Sequence, residues 1–531
     1  MPEPGPVESS RPRRGKDGPR PGLVLAVLGL LVAATSLLPI GYVLVSSAQL
    51  GAGEAYEFLV RPRVGDLVWN TVRLLVGGVL LSSVLGVGCA WLVARTDLPA
   101  RGLWHGLLAA PLAVPAFVNG YGWVSATHAV QSYGGAVLVV SLSYFPLVYL
   151  PTVAALHRVD SAHEDVAAIL GRGEVSTFFR VVLPTISPAV LGGALLVGLH
   201  LLGEYGALQM LNYPTLTTGI LDQYRSTFNG PAATLLAAVL MVFCLLLLAL
   251  EALARGKRRR ARVGSGVRRT ATPKELGRSK PFAVAGLVAL AVLALGVPLL
   301  SLARWLIRGS SATVPAGDLT AATLTTLMLA VLGGLLATAA ALPVALLAVR
   351  YAGRLATLVE RSVYPANALP GIVVALALVT ISIRSVPALY QTLPVLLVGY
   401  LILFLPRAVV SVRSSLELAP PVLEDVARSL GCSNAAATWR VTLPLVMPGL
   451  GAGLALVSLA VSTELTATLL LAPTGTSTLA TDFWSRAAAV EYGAAAPYAL
   501  VLIVLSIPAT WLLGRAAAPP ASPAPLPGGA R

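Results

Sequence analysis

Acidic residues are scarce in this chain, yet three pairs of them recur at one spacing. Glu164 and Glu424, Glu204 and Glu464, and Asp222 and Asp482 are each separated by 260 residues. Matched carboxylates can supply oxygen ligands to a hard cation, or favourable charge in the first turn of a helix. Which of these applies depends on where the chain puts them. The three cysteines, Cys89, Cys244 and Cys432, are scattered without a C-x-x-C pair and read as packing residues, so no disulfide framework and no metal site is assigned. No G-x-x-x-x-G-K-[ST] phosphate loop occurs, so any nucleotide energy has to come from a separate polypeptide. The chain is not expected to be an enzyme, and no catalytic residue is assigned.

The elements that position these residues are membrane spans. The 531 residues are 56% hydrophobic and only 11% charged, with a mean hydropathy of +0.80, whereas a soluble chain is about one quarter charged. Runs such as Gly22 to Ser46 exceed the ~20 residues that cross a bilayer as helix, and they are too long and uniform for a β-barrel strand of about 10 residues. The net charge of +15 could suggest nucleic acid. Its placement excludes that reading: 11 Arg or Lys and a single acid, Glu275, crowd between Leu253 and Pro281, as the positive-inside rule expects of a cytoplasmic loop.

Apolar runs fall near 22–46, 69–94, 104–125, 135–155, 187–210 and 232–252, and again near 282–306, 321–349, 363–383, 393–413, 447–472 and 495–515. The expected fold is therefore an all-α membrane protein of about twelve spans in two parallel six-helix repeats. The first half is 22–253, the basic linker 254–281 and the second half 282–515, between tails at 1–21 and 516–531 that are expected to be disordered. Even numbers of spans place both termini, the linker and the passages after each fourth span in the cytoplasm. The first span is too long for a signal-peptide core. "SSA" at 46–48 leaves cleavage open, and an uncleaved span is the expectation.

Those passages repeat each other. Residues 164–188 and 424–448 agree at 11 of 25 positions at the 260-residue offset. In the first, over 161–184, Ser161 and Glu164 form an S-x-x-E capping pattern. In the second, over 420–444, Pro420 and Pro421 start the helix. Glu164 with Asp165, and Glu424 with Asp425, then occupy a first turn. Gly171 and Gly431 stand where Gly usually ends a helix. Each passage is read as a short helix, a turn and a second short helix, closed by Leu183-Pro184 or Leu443-Pro444. A loop lying on lipid headgroups would not need this spacing twice, whereas a partner with two equivalent sockets would.

With E-D-V-A-x-x-L-G, then nine residues, then V-x-L-P, each passage resembles the EAA loop of binding-protein-dependent ABC importer permeases. Asp165 and Asp425 depart from that family's first Ala. The resemblance implies a type I importer permease fold. It further implies that Glu164, Asp165, Ala167, Gly171, Arg180, Leu183 and Pro184, with Glu424, Asp425, Ala427, Gly431, Arg440, Leu443 and Pro444, couple the chain to a cytoplasmic ABC ATPase homodimer. ATP and Mg would be used by that partner, and no cofactor by this chain. An extracytoplasmic substrate-binding protein is the other implied partner, and the bacterial cytoplasmic membrane the location. Residues 462–484, "STELTATLLLAPTGTSTLATDFW", with "LGEYGALQMLNYPTLTTGI" at 202–220, are similar to the ferric-iron permease branch, with Thr466 in place of its Pro. Thiamine and aminoethylphosphonate permeases are neighbouring alternatives.

Glu204 and Glu464 fall about two thirds through the fifth spans, where an ionisable group costs at least ~2.5 kcal/mol and faces the bundle interior or water. They either line a cationic path or make a helix-to-helix hydrogen bond or gate contact. Pro111 and Pro115, and Pro365 and Pro370, break backbone hydrogen bonding where a pathway or a kinked packing must satisfy it. Asp222 and Asp482, with Tyr224 and Trp484 two residues on, are placed in outward loops, either facing a binding protein or simply solvated. A proton- or sodium-driven secondary transporter would need ion-binding acids near the midplane, and matched cytosolic knobs on parallel halves argue against it.

Overall fold

The computed structural model describes residues 21–49, 51–159, 164, 167, 169–225, 229–255, 273–309, 315–351, 353–366 and 368–517. Expectations for the N-terminal tail, Ser161, Asp165, most of the linker and the chain past 517 lie outside the described residues. Among the described residues all elements are helical except one isolated bridge, Thr96 to Lys274. Nine helices among the described residues are long and apolar enough to cross a bilayer, or up to twelve if each of three bent pairs is one span. Helix is the only open architecture that pairs every backbone group within one apolar segment.

The first half runs α1 (Leu23–Gln49), α2 (Ala52–Leu59), α3 (Pro62–Arg95), α4 (Arg101–Ala109), α5 (Ala116–Ala126), α6 (Tyr133–Tyr144), α7 (Pro146–Leu156), α8 (Val175–Gly203), α9 (Gly206–Met210), α10 (Leu216–Arg225) and α11 (Gly230–Arg255). The second runs α12 (Gly277–Arg308), α13 (Ala316–Arg350), α14 (Arg354–Ala366), α15 (Gly371–Ser385), α16 (Leu393–Leu418), α17 (Pro421–Ser429), α18 (Thr438–Ser462), α19 (Thr466–Leu471), α20 (Leu479–Ala488) and α21 (Tyr492–Ala517).

Proline explains the bent pairs. Between α4 and α5 the axis turns by 91°; Pro111 sits in a 3-10 turn (Ala110–Ala113) and Pro115 caps α5. Pro146 starts α7 after a 44° bend, since its missing N–H breaks the ladder. Pro370 caps α15 in the same way.

Three expectations need correction. The second short helix of each passage is not separate: Glu174–Thr177 and Asn434–Ala437 run through π-turns at Phe178–Val182 and Thr438–Thr442 straight into the fifth spans. The wide turns immediately precede Leu183-Pro184 and Leu443-Pro444, where they absorb the proline ring and its missing donor. The fifth spans end at Gly203 and Ser462, so Glu204 and Glu464 stand just past a helix rather than within it. Asp222 and Asp482 lie in short helices, α10 and α20: a Thr478–Thr481 capping box starts α20, and at the start of α10 the Thr215 N–H donates to the Thr218 hydroxyl at 2.8 Å.

The chain divides into two compact units that cut across the sequence halves. The larger comprises Tyr42–Leu327, Ala368–Leu393 and Ser462–Arg531; the smaller comprises Met1–Gly41, Met328–Asn367 and Pro394–Val461. Within the larger unit, α3 presents Gly78, Ser82, Gly86 and Ala90 one turn apart, all buried. Gly86 lies against Val148 so closely that a β-carbon would meet the Phe145 carbonyl at 3.0 Å, as small-residue stripes permit in membrane helices. The second half's first span joins this unit, with Pro298 of α12 against Gly122 and Ser301 hydrogen-bonded to Ser125 at 2.6 Å. Within the smaller unit, Gly29 of α1 packs on Leu347 and Val359.

Candidate functional site

Each repeated passage is organised around a buried arginine. In the first, the Glu164 carboxylate sits 3.1 Å from the guanidinium of Arg95, the last residue of α3, and the side chains are 11% and 4% exposed. In the second, Glu424 sits 3.1 Å from Arg350, the last residue of α13, at 21% and 13% exposure. Both carboxylates therefore turn inward, onto the end of the second span of their own half. Removing one partner of such a pair strands a buried charge, a loss of roughly 3–5 kcal/mol.

Around that ion pair the two passages share their shape. Ala167 and Ala427 are buried, where a larger side chain would hold the helix off. Gly171 and Gly431 adopt φ of +73° and +88°, a left-handed conformation that costs other residues about 1–2 kcal/mol. The N–H groups of Arg172 and Cys432 reach back to the carbonyls of Ala167 and Ala427, at 3.0 and 3.1 Å, completing the same C-terminal motif twice. Arg180 and Arg440 are exposed, Leu183 and Leu443 half-buried, Pro184 half-buried and Pro444 exposed. Asp425 pairs with Arg428 on the surface.

The outward faces are apolar. Ile169 and Leu170 are 84% and 70% exposed, and Val422, Val426 and Leu430 are exposed likewise. Such a patch beside a fixed turn suits a protein partner.

Sequence reasoning misses the arginines because they do not share the 260-residue offset of the glutamates. Arg95 and Arg350 are 255 apart. Each is the first charge after a long apolar run, and comparing the run ends would have found them.

Glu204 and Glu464 occupy matched helix breaks in the larger unit. The Glu204 carboxylate accepts from the Ala207 N–H at 2.8 Å and from the Tyr144 hydroxyl of α6. The Glu464 carboxylate accepts from the Ala467 N–H at 2.9 Å. Thr217 and Thr468 donate hydroxyls to the carbonyls of Glu204 and Glu464, each at 2.9 Å. These bonds satisfy the groups that each break exposes. The breaks abut: Leu465 packs on Gly206, Pro370 on Gly203, and Glu464 on Gly371. Phe117 and Gly120 of α5, just past Pro111 and Pro115, pack on Gly206 and Ala207. The geometry thus gathers Glu204, Glu464 and Pro370 in one place and gives each carboxylate a capping bond.

Asp222 and Asp482 ride on helices fixed by another repeated contact. The N–H of Leu216 donates to Thr71 at 3.0 Å, and that of Leu479 to Thr326 at 2.9 Å. Partial burial pushes the carboxyl of Asp222 up, opposed by Arg63 at 3.9 Å. Burial also raises Asp482, opposed by the Ser477 hydroxyl and by Arg486. Trp484 is buried against Tyr205. Among the described residues no group of three or more His, Cys, Asp or Glu could hold a metal ion, and the three cysteines are free thiols.

Residues 82–260 and 337–517 each match the family of binding-protein-dependent transport system inner membrane components. The chain is 38% identical over 491 residues, 92% of its length and 97% of the relative's, to an Fe(3+)-transport system permease protein of Haemophilus influenzae. It is 28% identical over 251 residues to a sulfate transport system permease protein of Escherichia coli, covering 43% of this chain and 90% of that one. To a molybdenum transport system permease protein of the same species it is 32% identical over 163 residues, 27% and 71% of the two chains.

Proposed function

The chain belongs to the binding-protein-dependent transport system inner membrane component family, and from that premise we propose that it is the permease of an ATP-driven importer of ferric iron. The observation that carries the substrate is the 38% identity to an Fe(3+) permease across nearly all of both chains. The sulfate and molybdenum relatives match less than half of this chain. On this reading residues 22–253 and 282–515 are two permease halves joined by the linker 254–281, with both termini in the cytoplasm.

The two passages are the coupling elements. Their exposed apolar residues, Ile169 and Leu170 in one and Val422, Val426 and Leu430 in the other, seat on a homodimeric ABC ATPase that binds ATP and Mg. An extracytoplasmic binding protein delivers the iron on the opposite face, where Asp222 and Asp482 are candidate contacts. Two routes carry the ATPase movement into the membrane. The buried ion pairs Arg95–Glu164 and Arg350–Glu424 join each passage to the end of a second span. The π-turns join each passage without a break to a fifth span that ends just before Glu204 or Glu464. Displacing both passages moves both helix breaks, which is how alternating access would open the path past Glu204, Glu464, Pro111 and Pro370.

The test is uptake into proteoliposomes holding the permease, its ATPase and its binding protein. ATP-dependent accumulation of ferric iron, with none of thiamine, aminoethylphosphonate, sulfate or molybdate, is expected. Accumulation of one of those solutes in place of iron would contradict the substrate; accumulation without an ATPase would contradict the class.

A further inference from the structure

The end of the linker meets the first passage, and it does so through the residue that holds Glu164. The Lys274 N–H donates to the carbonyl of Arg95 at 2.9 Å, and the Asp97 N–H donates to the carbonyl of Lys274 at 3.0 Å. Together they make the bridge between Thr96 and Lys274, which is the isolated β-contact of the described residues. Both oxygens of Asp97 are engaged as well: Oδ1 accepts from the Leu276 N–H at 2.9 Å and Oδ2 from Lys280 Nζ at 3.0 Å. Those partners hold the Asp97 carboxyl below its usual range, the Leu276 N–H foremost. Arg95 thus has its backbone tied to the linker and its side chain tied to the coupling passage.

A second contact reaches the far end of the same passage. Lys274 Nζ lies 5.5 Å above the ring of Trp91, and Trp91 meets Phe178 edge-on at 4.9 Å. Phe178 opens the π-turn that follows Gly171. The linker therefore brackets the passage, at Glu164 through Arg95 and at Phe178 through Trp91.

The second passage is supported differently. Glu424 accepts an additional bond from the Thr442 hydroxyl at 2.7 Å, and Arg350 also donates to the Ala419 carbonyl at 3.1 Å. The residue equivalent to Thr442 in the first passage is Val182, which has no hydroxyl. At the 255-residue register Asp97 corresponds to Ala352 and Trp91 to Leu346, so the clasp residues are absent from the second half's sequence.

We infer that Lys274 to Lys280 is a brace for the first coupling passage, with Asp97 the positioning residue that seats it, so that the linker serves one ATPase contact and not the other. The inference rests on the coupling role proposed for the passages. It makes the linker more than a tether. Its attachment to Arg95 matters, and its continuity with the first half through the basic run does not.

The experiment uses the full permease–ATPase complex in a Cys432→Ser background, with a cysteine in place of Ile169 or of Leu430 and a cysteine on the ATPase surface for disulfide trapping. Asp97→Asn should lower trapping at position 169 about tenfold and leave position 430 unchanged, with iron uptake per ATP falling in parallel. Asp97→Glu should restore part of both. Replacing 273–280 by a Gly-Ser stretch of equal length should reproduce the loss, whereas co-expressing two chains cut between Arg262 and Val263 should keep wild-type trapping. Equal loss at both positions, or trapping at 169 unchanged by Asp97→Asn and by the Gly-Ser replacement, overturns the brace. Absence of trapping at 169 and 430 in the unaltered chain overturns the coupling role itself, which separates the two failures.

Discussion

The two repeated passages are alike in what they present and different in what supports them. Both carry an inward Glu on an Arg, a buried Ala, a left-handed Gly and an exposed apolar face. The first is backed by the linker through Arg95 and Asp97, the second by Thr442 and Ala419 of its own half. On the proposed reading, two equivalent sockets on a dimeric ATPase demand the same presented shape. They place no demand on how each half holds that shape, so the supports were free to diverge.

The largest effect on this comparison should come from the arginines. Arg95→Ala leaves Glu164 buried without its cation and should destabilise the first passage by roughly 3–5 kcal/mol. Arg350→Ala should cost less, because Glu424 keeps the Thr442 hydroxyl. Trypsin cleavage at Arg172, compared with cleavage at Arg428, reads the two passages separately, and equal sensitivity in both variants would erase the distinction. Next, Thr442→Val removes a bond to a charged acceptor, worth about 1.5–3 kcal/mol, and should make the second passage as dependent on its arginine as the first. Double-mutant coupling between Arg350→Ala and Thr442→Val measures this, and strict additivity would contradict it. Gly431→Ala and Gly171→Ala should each cost about 1–2 kcal/mol, equally in both passages, since the turn belongs to the shared shape. The smallest effect is acid loosening of the first passage alone. The Asp97 carboxyl is held below its ordinary value, so its contribution is present above the unfolded pKa of about 3.9 and is lost as pH falls through the lower folded value. Hydrogen exchange at Leu276 across that window should rise, while exchange at Gly431 should not.

Much of this was legible in the sequence. Apolar length alone marks the nine long helices and the three bent pairs found among the described residues, because a long apolar run can pair its own backbone only as helix. The 260-residue repeat exposed the passages, and their glycines announced the turns that the φ angles of Gly171 and Gly431 bear out. What escaped were contacts set by tertiary geometry. Arg95 and Arg350 lie at a different offset from their glutamates. The breaks at Glu204 and Glu464 sit in apolar runs, and the first has its carbonyl satisfied by Thr217, thirteen residues on, whereas Thr468 serves Glu464 locally. The linker looked like an undifferentiated basic stretch, and nothing in its composition marks Lys274 to Lys280 as a partner of Asp97.

The claim on which the account turns is that the outward apolar faces of the passages hold the ATPase while the inward glutamates hold the passages. Co-purification of the ATPase with the Ile169→Asp, Leu430→Asp double variant tests it most directly. The account expects an intact, membrane-inserted permease from which the ATPase is lost; an ATPase that stays bound in wild-type amount would contradict it.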